Sequence, residues 1–135
     1  MARSESMSPL ILVVEDEWLI GEFIGETLRE MGCRVMGPAL SVAGALQYLS
    51  EASPDGAILD VRLDGETSLA VAEELRRRGV PFVYATGCTK MELPVGFDSQ
   101  SVLAKPISQA DLRRGLRHVF EAHGWPQEAG PRSII

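Results

Sequence analysis

Apolar residues fall along this chain in two alternating rhythms: short unbroken runs, and longer stretches where they recur at helical spacing. Leu10–Val14 is wholly apolar, the pattern of a strand covered on both faces. Beyond Glu15-Asp16-Glu17, the residues Leu19, Ile20, Phe23, Ile24, Leu28 and Met31 keep a helical period. They predict a helix that Asp16 caps and Gly32 stops. Residues 33–36 form a short second strand leading to Gly37-Pro38. Ser41 caps a second helix to about Ala52, with Leu46 and Leu49 inward, and Ser53-Pro54-Asp55 breaks it. Residues 57–59 form a third strand closed by Asp60, and 63–67 a loop. Leu69, Val71, Ala72 and Leu75 mark a third helix closed by Gly79, and 81–85 a fourth strand followed by Thr86-Gly87. Residues 89–101 hold Pro94, Gly96 and Asp98 and keep no period, so any helix there is degenerate: Pro94 removes a backbone donor and clashes with the preceding turn. Residues 102–104 are a fifth strand. Ser108 and Asp111 form an S-x-x-D capping box for the last helix, whose core side is Leu112, Leu116, Val119 and Phe120.

Strands alternating with helices over short connections imply a parallel sheet with right-handed crossovers. Strand ends then converge on one edge, where ligands bind. Glu15 and Asp16 follow the first strand, Asp60 the third, Thr86 the fourth and Lys105-Pro106 the fifth. Three carboxylates and an ammonium gathered there can hold a hard cation and present one aspartate to a phosphoryl group. Each part has a bland explanation alone: acids suit a helix start, an aspartate after a strand forms turns, and Lys-Pro makes surface turns. Their joint appearance at successive strand ends carries the functional reading. Glu17 is a first-turn acid, and Asp64 and Glu66 belong to the loop after Asp60.

The chain has 135 residues, 45% apolar and 24% charged, which suits one soluble domain of residues 9–122 between tails 1–8 and 123–135. A net charge of −6 argues against nucleic acid and against a polybasic membrane surface. Arg76-Arg77-Arg78, the one basic run, ends a predicted helix where cations suit the dipole. No stretch is long enough to span a membrane, and residues 1–8 lack the apolar core of a signal peptide, so a cytoplasmic protein is expected. Cys33 and Cys88 fall at opposite ends of the sheet and are expected to stay unpaired. His118 and His123 have no companion ligands in register and are expected at the surface.

Taken in order, Glu15-Asp16, Asp60, Thr86 and Lys105-Pro106 resemble the receiver domain of bacterial two-component response regulators, over nearly the whole chain. Pro81-Phe82-Val83-Tyr84-Ala85-Thr86-Gly87 further resembles a single-domain subgroup with a P-F-x-[FY]-A-T-G fourth strand. The resemblance implies a flavodoxin-like, doubly wound α/β fold with five parallel strands in the order 2-1-3-4-5. It implies that Asp60 accepts a phosphoryl group from a sensor histidine kinase or phosphotransfer protein, with Mg²⁺ held by Asp16, Asp60 and the backbone carbonyl of Arg62. Glu15 stands where many members have aspartate, and its extra methylene suits action through water. Lys105 would pair with a phosphoryl oxygen, held by a cis Pro106, and Thr86 would report the phosphoryl group through its hydroxyl. Slow self-catalysed phosphorylation and dephosphorylation fit such a switch, which is not an enzyme in the ordinary sense.

Val102 departs from the family, which carries an aromatic there. Tyr84 could replace that aromatic, although a core position explains it more simply, and the response is expected to stay in the loops 63–67 and 87–101. Cys88 lies near the expected pocket, where an inert thiol is the simpler reading. Only about a dozen residues follow the last helix, so the expectation is a stand-alone switch that acts on an unknown downstream protein or drains phosphate. The alternative is an unphosphorylated pseudo-receiver that serves only protein contacts, against which the intact Asp60, Thr86 and Lys105 count. An aspartyl phosphohydrolase of the haloacid dehalogenase type needs a second aspartate where Arg62 stands.

Overall fold

A computed structural model describes residues 8–87 and 102–122 of the chain. The elements run β1 (Leu10–Val14), α1 (Trp18–Glu30), β2 (Arg34–Ala39), α2 (Val42–Glu51), β3 (Gly56–Leu59), β4 (Arg62–Leu63), β5 (Glu66–Thr67), α3 (Leu69–Arg78), β6 (Phe82–Thr86), β7 (Val102–Ala104) and α4 (Gln109–Ala122). Five strands make a parallel sheet in the order β2-β1-β3-β6-β7. This is the doubly wound, flavodoxin-like arrangement, with the topological reversal between β1 and β3.

Alternate strand residues enter opposite layers and divide the core in two. Leu12, Val14, Ala57, Leu59 and Tyr84 pack with Ala45 and Leu49 of α2 and with Val71, Ala72 and Leu75 of α3. Ile11, Val13, Ile58, Val83 and Ala85 pack with Ile24 and Leu28 of α1 and with Leu112 and Leu116 of α4. Apolar burial on both faces explains why the central strands carry no polar alternation.

Several elements differ from the sequence expectation. Glu17, not Asp16, is the N-cap residue of α1. Leu19 is 79% exposed and Leu46 37%; Ala45, one position away, takes the inward place beside Leu49. The second strand does not end at Met36 but continues through Gly37-Pro38 to Ala39. Residues 63–67 are not an open loop: β4 and β5 pair antiparallel around a tight turn with Asp64 at φ 47° and Gly65 at φ 91°. Thr86 lies inside β6 as its last residue. At α4 the Ser108 hydroxyl accepts the Asp111 N–H at 3.0 Å, but the Asp111 carboxylate pairs with Arg114 instead of completing the box.

Other expectations find their counterpart. Ser41 Oγ accepts the Gly44 N–H at 3.0 Å and so caps α2. Gly79, at φ 73°, ends α3. The basic run is engaged locally: Arg77 and Arg78 both hold Glu74, and Arg76 lies 5.4 Å over the Phe82 ring. The degenerate segment 89–101, Cys88 and most of both tails lie outside the described residues, as do the side chains of His118, Val119 and Phe120.

Cys33 is 8% exposed just before β2, and burial, helped by the Asp55 charge, pushes its thiol up to about 11. Its thiolate fraction at neutral pH is then roughly a hundredfold below that of an ordinary thiol. Native Cys33 should therefore resist iodoacetamide until the sheet opens, as peptide mass mapping would show. Labelling at the rate of a free cysteine would contradict its place in the core.

Candidate functional site

Glu15, Asp60 and Lys105 each stand one residue beyond a strand, after β1, β3 and β7. All three share the pleat parity of Val13, Ile58 and Leu103, which face α1 and α4. Backbone bonds extend the ladder to each of them. Glu15 N–H donates to Ala39 O at 2.9 Å, Asp60 N–H to Val14 O at 2.9 Å, and Lys105 N–H to Thr86 O at 3.0 Å. The sheet itself therefore brings the three side chains together.

A bulge in β2 completes this frame. Leu12 pairs with Met36 and Val14 with Ala39, so Gly37 and Pro38 together oppose the single residue Val13. Gly37 sits at φ 118°, and a Cβ there would lie 2.6 Å from Val13 O. Pro38 is pressed against Gly21 of α1, where a Cβ would come within 2.9 Å of the proline ring; the Cβ of Glu15 lies at 3.8 Å from the same point. The bulge thus sets Ala39 O beneath the Glu15 amide and walls the pocket behind its side chain. The sequence signal was Gly-Pro at a strand end, which reads as a terminator; Gly21 carried no signal of its own.

Lys105 Nζ lies 2.9 Å from Glu15 Oε1 and 3.0 Å from Asp60 Oδ2. Glu15 Oε2 accepts the Glu17 N–H at 3.1 Å, and Asp60 Oδ1 takes a long 3.4 Å contact from the Arg62 N–H. Carboxylate oxygens of Glu15, Asp16 and Asp60 lie within 4.8 Å of one another, the one such acidic group among the described residues. Glu15 is 1% exposed, Asp60 is buried and Asp16 is partly open. The Lys105–Pro106 peptide is cis, as the resemblance implied; Gly37–Pro38 is cis as well, which nothing in the sequence indicated.

Burial raises the pKa of Glu15 above the usual carboxylate range, and the Asp60 charge adds to it, while Lys105 and the Glu17 amide act in the opposite sense. For Lys105 burial opposes the charged form, but the hydrogen bonds and charges of Glu15 and Asp60 outweigh it and raise the ammonium pKa. Among the described residues, three carboxyl groups and one ammonium meet in the pocket. Its donors are hard oxygens crowded within reach of one ion, the set that suits a small hard divalent cation.

Thr86 is buried at the end of β6, in register with Ala104, and meets the cluster through the backbone bond from Lys105. Arg62 touches Asp60 through its amide. Tyr84 is fully buried among Leu59, Leu63 and Leu75, its ring edge-on to Phe82 at 5.5 Å, and in register with Val102. No described helix is long and apolar enough to cross a membrane.

Comparison with known proteins agrees with this fold. The solution structure of SdrG from Sphingomonas melonis Fr1 matches with a TM-score of 0.75 and 36% identity, over 84% of this chain and 98% of that one. A CheY-like response regulator receiver domain from Methylobacillus flagellatus matches with a TM-score of 0.71 and 28% identity, over 83% and 98%. The transcriptional regulatory protein PdtaR of Mycobacterium tuberculosis is 30% identical over 106 residues, 76% of this chain but 52% of PdtaR. The chain thus spans about half the length of the curated relatives it matches. The family model described as response regulator receiver domain matches residues 11–117, most of the chain, and the chain belongs to that family.

Proposed function

We propose that the chain is a stand-alone phosphoacceptor switch in which Asp60 receives a phosphoryl group from a histidine kinase or phosphotransfer protein, with Mg²⁺ as cofactor. The observation that supports this most is the convergence of Glu15, Asp16, Asp60 and Lys105 on one pocket. Receiver domains are signalling switches, and we read those four positions as the acidic pair, acceptor and lysine that the resemblance implies. The likeness to SdrG, whose solved chain is covered to 98%, supports a single-domain reading; the P-F-x-[FY]-A-T-G subgroup rests on residues 81–87 alone. A cytoplasmic setting and an as yet unnamed protein target complete the proposal.

Asp60 attacks phosphorus through a carboxylate oxygen. The new O–P bond forms as the P–N bond of the donor phosphohistidine breaks, and that electron pair stays on the departing imidazole. Like charges on Asp60 and the phosphoryl oxygens oppose this approach. A bound Mg²⁺ supplies charge neutralisation on the phosphoryl oxygens. Asp16 and Asp60 would hold it directly, with the Arg62 carbonyl as a further oxygen. Lys105, freed from the Asp60 carboxylate when that group becomes an acyl phosphate, turns its ammonium to a phosphoryl oxygen. Thr86, next to Lys105 through the backbone, is placed to donate its hydroxyl there.

Thermal melts test the proposal. Mg²⁺ at tenfold over its Kd should stabilise by about 1.4 kcal/mol. That corresponds to roughly 4 °C for a chain of this size. Asp16→Asn should lose most of that gain, while Glu17→Gln keeps it. Beryllofluoride, a phosphoryl mimic, should raise the melt further only when Mg²⁺ and Asp60 are both present. A wild type indifferent to both additives would leave only the pseudo-receiver reading.

A further inference from the structure

Both ends of the segment that carries the acidic pair are tied to the bulge of β2. On the strand side the Glu15 N–H donates to Ala39 O at 2.9 Å. On the helix side Gly21 lies against Pro38, so close that a Cβ there would fall 2.9 Å from the proline Cβ and 3.0 Å from its Cγ. The Gly21 N–H donates to Glu17 O at 3.0 Å, so the first turn of α1 carries the position of Gly21 back to the residue beside Asp16. Asp16 hangs between these two ties. Its carboxylate is partly open, and among the described residues no hydrogen bond or ion pair holds it. Its reach toward Asp60 is therefore set by the backbone on either side.

We propose that Gly21 is a positioning residue that fits the acidic pocket to a small cation: the close seat of α1 on Pro38, which only a glycine allows, fixes how far Asp16 stands from Asp60. This rests on the metal-dependent phosphoacceptor reading above. Rotation cannot relieve a methyl group at Gly21, because the atoms it meets belong to a ring fixed in the backbone of the bulge. The first turn of α1 would have to back away by roughly half an ångström to regain ordinary contact. Mg²⁺ is sensitive to such a shift, for it demands near-octahedral oxygen ligands at about 2.1 Å. Ca²⁺ accepts irregular ligand sets at roughly 2.3–2.6 Å.

Gly21→Ala should therefore weaken Mg²⁺ binding about tenfold, the low end for residues that orient a metal ligand from behind. Ca²⁺ binding should fall about twofold or less, so the affinity ratio of the two ions moves about fivefold. General damage to the fold would weaken both ions alike. Gly25 is the control one turn on: a Cβ there would meet Arg29 Nη1 at 3.5 Å, an ordinary contact. Gly25→Ala should leave both affinities unchanged and raise the melting temperature, since alanine is the better helix former. In a Pro38→Gly chain the ring is gone, and there Gly21→Ala should change Mg²⁺ binding about twofold or less. Pro38→Gly alone takes away the seat and should lower the Mg²⁺ to Ca²⁺ affinity ratio about threefold.

The experiment is isothermal titration calorimetry with Mg²⁺ and with Ca²⁺ on wild type, Gly21→Ala, Gly25→Ala, Pro38→Gly and the Gly21→Ala/Pro38→Gly double variant. Circular dichroism of the metal-free proteins serves as the folding control. A Mg²⁺-selective loss in Gly21→Ala that shrinks in the Pro38→Gly background supports the proposal. Unchanged affinities, or equal losses for the two ions, overturn it and leave the phosphoacceptor reading standing. Should Gly21→Ala not fold, Pro38→Gly decides: a lowered ion ratio supports the proposal and an unchanged one overturns it. A wild type that binds no Mg²⁺ overturns both.

Discussion

Gly37→Ala is expected to destabilise the protein by about 3 kcal/mol and to lower its melting temperature by roughly 10 °C. The residue sits at φ 118°, where side chains are rarely found. An added Cβ would meet Val13 O at 2.6 Å and Ala39 N at 2.8 Å. Both atoms belong to backbone inside the sheet, so no side-chain rotation relieves the clash. Gly79 is the control: it also has positive φ, 73°, but nothing lies within 4 Å of its Cβ position. Gly79→Ala should cost only the left-handed conformation, about 1 kcal/mol. The difference between the two variants in a urea titration isolates the bulge contact. The damage at Gly37 should also reach the site, because Ala39 O holds the Glu15 amide at 2.9 Å. A Gly37→Ala protein as stable as Gly79→Ala would mean that the bulge is not built as described.

Tyr84→Ala should be about as costly, roughly 3–5 kcal/mol, as for other large side chains removed from a packed core. The ring is fully buried between the sheet and α3, touching the layer of Leu59, Leu63, Val71 and Leu75, and it meets Phe82 edge-on. Removing it leaves a cavity that the two rigid layers cannot close. Chemical denaturation of the metal-free chain measures this directly. If Tyr84→Ala unfolds at nearly the wild-type midpoint, the residue does not hold the core, and a reporter role beside Val102 becomes the better account of it.

The strands were legible because burial on both faces leaves unbroken apolar runs, and Leu10–Val14 shows this plainly. Parallel topology followed from the alternation with helices. The pocket was legible for a related reason: Glu15, Asp60 and Lys105 are each the first residue past an apolar run, and a parallel sheet sends such residues to one edge. Helix faces were less secure. Leu46 and Ala45 differ by one position on α2, and a leucine reads as core even where the smaller alanine fits the layer. Leu19 is apolar yet faces solvent in the first turn of α1. The β4–β5 hairpin was illegible because two residues per strand carry no period. The β2 bulge was hidden because Gly-Pro ordinarily ends a strand, and only the register with β1 shows that the strand resumes. The tie from Glu15 to Lys105 depends on side-chain reach across two strands, which no spacing along the chain encodes.

The central claim is that Asp60 is the phosphoacceptor of a metal-dependent pocket. Intact-mass analysis after incubation with acetyl phosphate tests it most directly, with and without Mg²⁺, on wild type and on Asp60→Asn. The account predicts a single added phosphoryl group on wild type with Mg²⁺, little or none without the metal, and none on Asp60→Asn. An unmodified wild type, or an Asp60→Asn chain that still gains the group, would contradict it.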